Sequence, residues 1–332
     1  MIATPPEKRS LFKRQSTLDA RTTDGIFYWS TLGFSALVLL LVAWLGIQLY
    51  SAASPSIHKF GLGFLTSSMW STSDDPIHPD TYGAWPYIYG TLVSSFLALL
   101  LAVPIGLGTA IYLAELAPKW LRTPLSFMVE LLAAVPSVVY GLWGRLVLIP
   151  ALMPLQTWLS DHADSVPVVG RFFGGAATGQ SMMAAALVLA IMILPFISAV
   201  SREVIKAVPP TQREAAFGLG ATHWEAIKGP ILRTARSGII GAIILGLARA
   251  LGETMAITMV IGNAPNADFS LLSPAATLSS KLAVEFAEAS GGQQSALMYL
   301  ALVLFGITIV VNACARLLIW NMSRQVKGST RA

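Results

Sequence analysis

Six long apolar runs, each long enough to cross the hydrocarbon core of a bilayer, constrain the fold of this chain more than any other feature. A transmembrane helix needs about 20 apolar residues, and only a helix or a closed barrel satisfies its backbone groups in lipid. With 55% hydrophobic and 12% charged residues, the chain also lacks the charged surface of a water-soluble domain. The sequence therefore predicts an all-α polytopic membrane protein with six transmembrane helices. The apolar runs lie at residues 27–49, 87–112, 125–152, 180–200, 238–261 and 297–320.

The third and fourth runs contain residues that disturb a regular transmembrane helix. Glu130, Pro136 and Arg145 interrupt the third, and Pro195 interrupts the fourth. Neighbouring helices can satisfy the backbone groups that proline frees, so both runs are retained as spans. We expect a kink at Pro136, and we place Arg145 near the outer end of its span, where a long side chain reaches the interface.

Positive charge divides unequally between the two sets of loops. If the N-terminus is inside, most Lys and Arg residues lie in cytoplasmic segments, and the opposite side holds only Lys59, Arg171 and Lys281. The positive-inside rule then predicts that both termini and the segment 202–236 are cytoplasmic. Because the basic residues are scattered in short loops without an aromatic platform, membrane lipid and not nucleic acid is the expected surrounding.

The loops are too short to form an independent soluble domain. The chain has no Gly-x-x-x-x-Gly-Lys-Ser/Thr phosphate loop, and its four histidines lack metal-ligand spacing. We therefore expect no catalytic residue, metal or cofactor in this chain, so that any energy source belongs to another subunit. The predicted division is a cytoplasmic N-terminal segment 1–26, a first transmembrane helix 27–50, an external loop 51–86, a transmembrane domain 87–320 that contains the cytoplasmic loop 202–236, and a cytoplasmic tail 321–332.

The polar segment 202–236 carries two local signals for short helices. Thr211 with Glu214, and Thr222 with Glu225, each place a hydroxyl and a glutamate at the spacing of a capping box. Two helices are therefore predicted to begin near residues 212 and 223.

Glycine and proline predict where these two helices end. Gly218 and Gly220 can supply the left-handed backbone that ends the first helix, and Pro230 is expected to end the second. A compact helix-turn-helix between the fourth and fifth spans indicates a docking element for a cytoplasmic partner.

Ionisable residues inside a membrane cost on the order of 2.5–3.5 kcal/mol each on insertion scales, so each requires a physical reason. Arg249 and Glu253 are one helical turn apart in the fifth span and are expected to face one direction and neutralise each other. The pair is either a structural ion pair or part of a gate or pathway. A guanidinium suits an anion because it stays charged and presents a fork of donors. Glu130 is expected in the inner third of the third span, paired with a neighbouring subunit.

Small residues share the stripe of the fifth span that carries this pair. Such spacing lets another helix approach closely, so we expect this stripe to line the pathway or a subunit interface. The residues are Ala242, Gly246, Gly252 and Ala256.

The polar segment resembles a known signature. Glu214-Ala215-Ala216, followed by Gly220 and Leu232, is similar to the EAA motif of permease subunits of ATP-binding-cassette (ABC) importers. The resemblance implies that Glu214, Ala215, Ala216 and Gly220 couple the chain to a separate ATPase subunit, which binds the ATP. The match departs from the family pattern, which has isoleucine at the place of Pro230 and proline at the place of Arg233.

A longer resemblance, from about residue 60 to 317, is to the C-type permeases (PstC) of phosphate-specific ABC importers. It implies a type I ABC importer permease in a bacterial cytoplasmic membrane, and the translocation of inorganic phosphate. It also implies an A-type permease as heterodimer partner, two cytoplasmic ATPase subunits and an external phosphate-binding protein. The segments that carry it are Tyr87-Ile88-Tyr89-Gly90-Thr91-Leu92, residues 130–141, residues 246–263 and Glu285-Phe286-Ala287-Glu288-Ala289.

Composition and spacing without this resemblance leave other functions open. One is an ATP-independent secondary transporter or channel that uses Arg249 and Glu253 as a relay, and another is an ABC permease for a different anion. A third is a scaffold or sensor that moves no solute. Uptake driven by a gradient alone would favour the first, and failure of an assembled complex to move any solute would favour the third.

Overall fold

A computed structural model describes residues 17–71, 80–163 and 167–329, with side chains for residues 23–71, 80–163 and 170–320. Residues 1–16 of the predicted N-terminal segment and residues 330–332 of the predicted C-terminal tail therefore lie outside the described residues. The described chain is helical and contains only isolated β-bridges, at Ser71–Thr81 and Gly262–Ala275. Its helices are α1 Thr17–Phe60, α2 Gly63–Thr66, α3 Trp85–Ile111, α4 Lys119–Ala134, α5 Ser137–Trp143, α6 Ile149–Ala163, α7 Pro167–Phe173, α8 Met182–Lys206, α9 Pro210–Gly218, α10 His223–Ala226, α11 Leu232–Gly252, α12 Met255–Val260, α13 Leu278–Glu285 and α14 Gly291–Ser329.

Three turns of π-helix continue or join these elements. Tyr112–Leu116 extends α3, Gly144–Leu148 joins α5 to α6, and Ile227–Ile231 joins α10 to α11. Each wider turn accommodates an extra residue without ending the helical rod.

Two compact units divide the chain, one ending at Ser51 and the other running from Ala52 to Ala332. In the first unit α1 exposes apolar side chains such as Phe27, Phe34 and Leu40 along its length. A helix that is apolar all round requires lipid or protein around it.

Among the residues that the structure describes, six helices are long and apolar enough to cross a membrane, the number that the sequence predicts. Four overlap the predicted runs closely. The third is displaced toward higher residue numbers, and the fifth, predicted at residues 238–261, is displaced toward lower ones. The six are Thr23–Phe60, Trp85–Leu116, Ser137–Ala163, Met182–Lys206, His223–Gly252 and Gly291–Trp320.

The predicted third span, 125–152, is wrong in its boundaries because the helix breaks at Pro136. Val135 is extended, with ψ 129°, and Pro136 caps α5 with ψ 140°. Proline disfavours helical backbone at the residue before it, so the predicted kink is a full break. The amphipathic helix α4 therefore stands apart from the span Ser137–Ala163. Arg145 then lies nearer the start of this span, not at the outer end that we predicted.

The expected end of the helix at Pro230 is also wrong. Pro230 lies within the π turn Ile227–Ile231, and the helix continues without interruption from His223 to Gly252. The wider turn accommodates the missing N–H and the bulk of the proline ring.

The fourth span, α8, lies at the centre of the second unit and is the most buried of the six. It packs against α3 at Gly106 and against α11 at Gly246, and Ile197 of α8 contacts both glycines. A Cβ atom on Gly246 would lie 2.9 Å from Ile197 Cγ1, so glycine is needed for this approach. Ala242 is buried on the same side of α11. Ala242 and Gly246 of α11 thus pack against other helices of the same chain. This differs from the prediction that they line the pathway or a subunit interface.

The stripe does not extend to its last two residues. Gly252 ends α11, and Ala256 belongs to α12, where its Cα lies 2.9 Å from the position of a Cβ on Gly141. A change of helix direction after Gly252 removes the common face that a continuous helix would have given.

The loop before α13 folds back onto the start of α3. The Ala276 carbonyl lies so close to Gly90 that a Cβ there would be 2.0 Å from its oxygen. Thr91 Oγ1 accepts a hydrogen bond of 2.9 Å from the Leu278 backbone N–H. Gly90 and Thr91 are therefore the residues of α3 against which this loop packs.

Lys281 and Glu285, which follow this loop in α13, form a polar cluster. The Lys281 ammonium is buried, forms an ion pair with Glu285, and lies 4.6 Å from the centre of the Trp70 ring. Trp70 Nε1 donates a 3.1 Å hydrogen bond to Glu285 Oε2. Burial lowers the pKa of Lys281, and the Glu285 carboxylate opposes that shift. Lys281, which we grouped with the loop charges of the external side, is in fact a buried structural residue.

Candidate functional site

The first helix of the polar segment begins two residues earlier than predicted. Pro209 is extended and precedes α9, which has Pro210 at its first position, and no side chain caps the helix. Proline suits this position because its fixed φ is helical and it has no N–H to satisfy. Thr211 therefore lies inside the helix, and the predicted capping box of Thr211 with Glu214 is wrong.

The second helix begins where the sequence predicts. Thr222 Oγ1 accepts a 3.3 Å hydrogen bond from the Glu225 backbone N–H, and Glu225 Oε2 accepts a 2.8 Å bond from the Thr222 N–H. This is the predicted capping box. Gly220 has φ +80°, which confirms the left-handed turn between the two helices. The segment is thus a built turn and not a flexible loop.

One face of this segment is exposed and partly apolar. Glu214 and Ala215 are exposed on α9, together with the large side chain of Phe217. Leu219 is 89% exposed and Trp224 is 61% exposed. We call these five residues the docking patch. An exposed apolar patch of this kind marks a contact surface.

The docking patch adjoins the other two predicted coupling residues. Ala216 is half-buried, and Gly220 is exposed. Sequence reasoning missed Phe217, Leu219 and Trp224. The available signal was three large apolar side chains within a polar segment.

The opposite side of α9 is tied to three spans by two neighbouring residues. Gln212 Oε1 accepts a 2.7 Å hydrogen bond from Thr234 Oγ1 on α11. Arg213 forms an ion pair of 2.7 Å with Glu115, in the π turn that extends α3. It also donates to the Ile205 carbonyl at the end of α8 and to the Val208 carbonyl just beyond it. Sequence reasoning missed this anchor, because its partners are distant in the chain.

The second candidate site contains Arg249 and Glu253, which do not form the predicted ion pair. The helix ends at Gly252, and Glu253 is extended with ψ 129°. Glu253 is 9% exposed, and its Oε1 accepts a 3.2 Å hydrogen bond from the Ala256 N–H. The carboxylate therefore faces the N-terminus of α12, where the helix dipole favours negative charge.

Arg249 has a different environment. Its guanidinium carbon lies 4.2 Å from the centre of the Phe196 ring on α8, a cation–π arrangement. Within the part of the chain that the structure describes, its buried Nε has no hydrogen-bond partner. A buried guanidinium N–H without an acceptor is costly, so this donor is available to an oxygen-rich ligand.

Two helix breaks meet beside these residues. One lies between α4 and α5 at Pro136, and the other between α11 and α12 at Glu253. Gly141 on α5 and Ala256 on α12 are in direct contact, and the Tyr140 hydroxyl donates a 2.7 Å hydrogen bond to the Leu132 carbonyl across the first break. Irregular backbone at membrane depth is tolerated where it is buried in protein or lines a cavity.

A groove of about 520 Å³ opens beside the second break. Gly252, Thr254 and Ser279 supply its polar edge. Ser279 Oγ also donates a 2.7 Å hydrogen bond to the Glu253 carbonyl, which holds the broken segment against α13.

Glu130 is not brought together with Arg249 and Glu253. It lies on α4 and pairs with Arg202 of α8, with 2.8 Å between Glu130 Oε1 and Arg202 Nη2. The expectation that Glu130 lies in the third span is wrong, because that span begins only at Ser137. Arg202 is thus its ion-pair partner within the chain, and pairing with another subunit stays a prediction. Glu130 remains 55% exposed at the edge of an open groove of about 560 Å³.

In the described ranges, no three His, Cys, Asp or Glu side chains converge in a way that could hold a metal ion.

Comparison with known proteins identifies the family. Residues 102–327 match the family model of the binding-protein-dependent transport system inner membrane component. The chain belongs to this family. The permease is therefore a multi-pass membrane subunit of an ABC transporter, and the other subunits of such a transporter are its partners.

Curated relatives cover nearly all of this permease. It is 44% identical over 319 residues to the phosphate transport system permease protein PstC of Haemophilus influenzae, a match that covers 96% of this chain and 99% of the relative. It is 46% identical to the protein of the same name from Pasteurella multocida, with 96% of this chain and 98% of the relative covered.

Solved structures of low sequence identity share its fold. A chain of a bacterial ABC transporter for import of the acidic polysaccharide alginate has a TM-score of 0.52 at 18% identity, covering 91% of this permease and 99% of that chain. A chain of the inward-facing MetNI methionine ABC transporter has a TM-score of 0.50 at 16% identity, covering 72% and 94%. The permease therefore has the type I ABC importer fold.

Proposed function

We propose that this chain is a permease subunit of an ATP-driven importer that carries inorganic phosphate across a bacterial cytoplasmic membrane. The observation that carries the proposal is the docking patch with its EAA residues, on a capped turn between the fourth and fifth spans. The 44% identity to a relative named a phosphate transport system permease supports phosphate as the substrate.

The docking patch serves as the contact with the ATPase in this proposal. Glu214, Ala215, Ala216 and Gly220 are the coupling residues, and the exposed rings of Phe217 and Trp224 enlarge the surface. Burial of such aromatic side chains in a partner's cleft supplies much of the energy of an interface. ATP is bound and hydrolysed by the partner, and this chain needs no cofactor of its own.

Phosphate passes beside Arg249 in this proposal. The unpartnered Nε–H of Arg249 is supporting evidence, because a guanidinium forms charge-assisted hydrogen bonds to phosphate oxygens. Glu253 holds the start of α12 through the Ala256 N–H, so that movement of this helix changes the space beside Arg249. Glu130 and Arg202 join α4 to α8, and their opening accompanies the same change of access.

The complete transporter contains an A-type permease as heterodimer partner, two cytoplasmic ATPase subunits and an external phosphate-binding protein. Both termini and the docking patch are cytoplasmic, as the distribution of Lys and Arg favours. The division into terminal segments, loops and membrane domain given by the sequence belongs to this proposal as well.

Transport in proteoliposomes tests the proposal. The chain is reconstituted with its partners, and uptake of radiolabelled phosphate is compared with uptake of radiolabelled sulfate, with and without ATP. We expect uptake of phosphate that requires ATP and exceeds uptake of sulfate.

Three results would contradict the proposal in different ways. Preference for sulfate would change the substrate, and uptake driven by a gradient without ATP would indicate a secondary transporter. No uptake of any solute by the assembled complex would favour a scaffold or sensor.

A further inference from the structure

Arg213 stands directly before the coupling residues and turns away from the docking patch. Its side chain is 21% exposed and that of its partner Glu115 is 14% exposed. Both charged groups are thus largely withdrawn from water. An ion pair in such a place needs good geometry to offset the cost of removing both charges from water. Because breaking such a pair leaves an uncompensated charge, the contact resists separation.

The guanidinium of Arg213 donates hydrogen bonds to Glu115 and to two backbone carbonyls. Its Nη2 and Nε donate to Glu115 at 2.7 Å and 3.2 Å, a forked contact with the π turn that ends α3. The Nη2 group also donates at 2.9 Å to the Ile205 carbonyl, and Nη1 donates to the Val208 carbonyl. A fork of this kind fixes orientation as well as distance.

The Ile205 carbonyl lies in the last turn of α8, and the Val208 carbonyl lies two residues beyond the end of this helix. Carbonyls at a helix end lack partners within the helix, and the helix dipole makes this end attractive to a cation. Arg213 therefore joins α9 to α3 through a carboxylate and to α8 through the backbone. An apolar cluster nearby, which includes Ala110, Ile205 and Ile231, packs α3 and α8 against the start of the fifth span but contains no residue of α9. That contact has no direction of its own, since the hydrophobic effect depends on area.

We propose that Arg213 is a positioning residue that fixes α9 rigidly to α3 and α8, so that displacement of α9 by the ATPase moves both spans. The proposal rests on the proposed function of the chain as an ATP-coupled permease. Without the fork, α9 still docks to the ATPase, but part of its displacement is absorbed between α9 and the spans. ATP is then hydrolysed without a matching movement of phosphate.

The test uses the complete transporter in proteoliposomes, in which ATP hydrolysis and uptake of radiolabelled phosphate are measured together. Arg213→Gln removes the fork, and Glu115→Gln removes only the carboxylate contact with α3. Arg236→Gln is the matched control, since Arg236 is an exposed arginine on the same segment. Co-purification with the ATPase is measured for every variant.

We expect Arg213→Gln and Glu115→Gln to co-purify with the ATPase and to raise the ATP hydrolysed per phosphate transported by roughly two- to thirtyfold. The double variant should be no worse than Arg213→Gln alone, because the two side chains act as one contact. Arg236→Gln should keep the wild-type ratio. A role in folding alone would lower the yield of complex and leave this ratio unchanged.

An unchanged ratio in both variants would overturn the proposal, and so would loss of co-purification in both. If only Arg213→Gln fails to co-purify, the ratio of Glu115→Gln decides. A wild-type complex without ATP-dependent phosphate uptake would instead contradict the proposed function, so the two failures are distinguishable.

Discussion

Replacing Gly90 with alanine should push the loop before α13 away from α3. The added Cβ would lie 2.0 Å from the Ala276 carbonyl oxygen, about 1.4 Å inside the shortest ordinary contact of 3.4 Å. The obstacle is backbone, which cannot swing aside as the end of a long side chain does. The shift would also strain the 2.9 Å hydrogen bond from the Leu278 N–H to Thr91.

Gly108 provides the matched control, because it lies on the same helix and has no atom within 4 Å of its added Cβ. Both substitutions gain about 0.5–1 kcal/mol from replacing glycine in a helix, so this gain cancels in the comparison. Overpacking a tight contact costs about 1–3 kcal/mol. We expect Gly90→Ala to be less stable than Gly108→Ala by this amount, toward the upper limit.

Thermal unfolding of the purified permease in detergent measures the difference. An unfolding entropy of about 2.1 cal/mol/K per residue gives a shift of about 1.4 °C per kcal/mol for 332 residues, so the midpoint of Gly90→Ala should lie roughly 1–4 °C below that of Gly108→Ala. Equal midpoints would refute the close approach of Ala276 to α3.

Three further substitutions test other parts of the argument. Glu214→Lys should abolish co-purification with the ATPase while membrane insertion remains normal, and normal co-purification would count against the docking patch. Arg249→Ala should lower phosphate uptake roughly ten- to hundredfold, the value of one hydrogen bond to a charged group, and full uptake by a normally assembled variant would exclude Arg249 from the pathway. Lys281→Met should destabilise the fold by about 3 kcal/mol, because it leaves the Glu285 carboxylate without its counter-ion, and an unchanged melting temperature would contradict this.

The features that the sequence predicted correctly depend on local patterns. Apolar length alone located four of the six spans closely, since hydrocarbon thickness imposes the same requirement on every crossing. The capping box at Thr222 and the left-handed turn at Gly220 were also predictable, because each involves residues within one turn of helix.

The wrong predictions come from assuming that a helix continues. The third span was placed too early because the apolar face of α4 merged with α5 into one hydrophobic window, although Pro136 separates them. The pairing of Arg249 with Glu253 required a regular helix between them, and the break after Gly252 turns Glu253 toward α12.

Contacts between distant residues were beyond local patterns altogether. Arg213 and Glu115 are 98 positions apart, and Trp70 and Glu285 are 215 apart. Their pairing depends on how the helices assemble, and nothing in the sequence around Arg213, Glu115 or Glu285 distinguishes these residues from ordinary solvated charges.

The helix that passes through Pro230 joins α10 to α11 as one continuous element, from His223 to Gly252. His223 at the start of this helix and Arg249 near the break after Gly252 lie about 39 Å apart along its axis, at 1.5 Å per residue. A tilt of about 5° around one end would displace the other by about 3 Å, comparable to the width of a water molecule. A small rotation at the protein–protein contact is thus large enough to admit or exclude a ligand atom at the far end of the same rod.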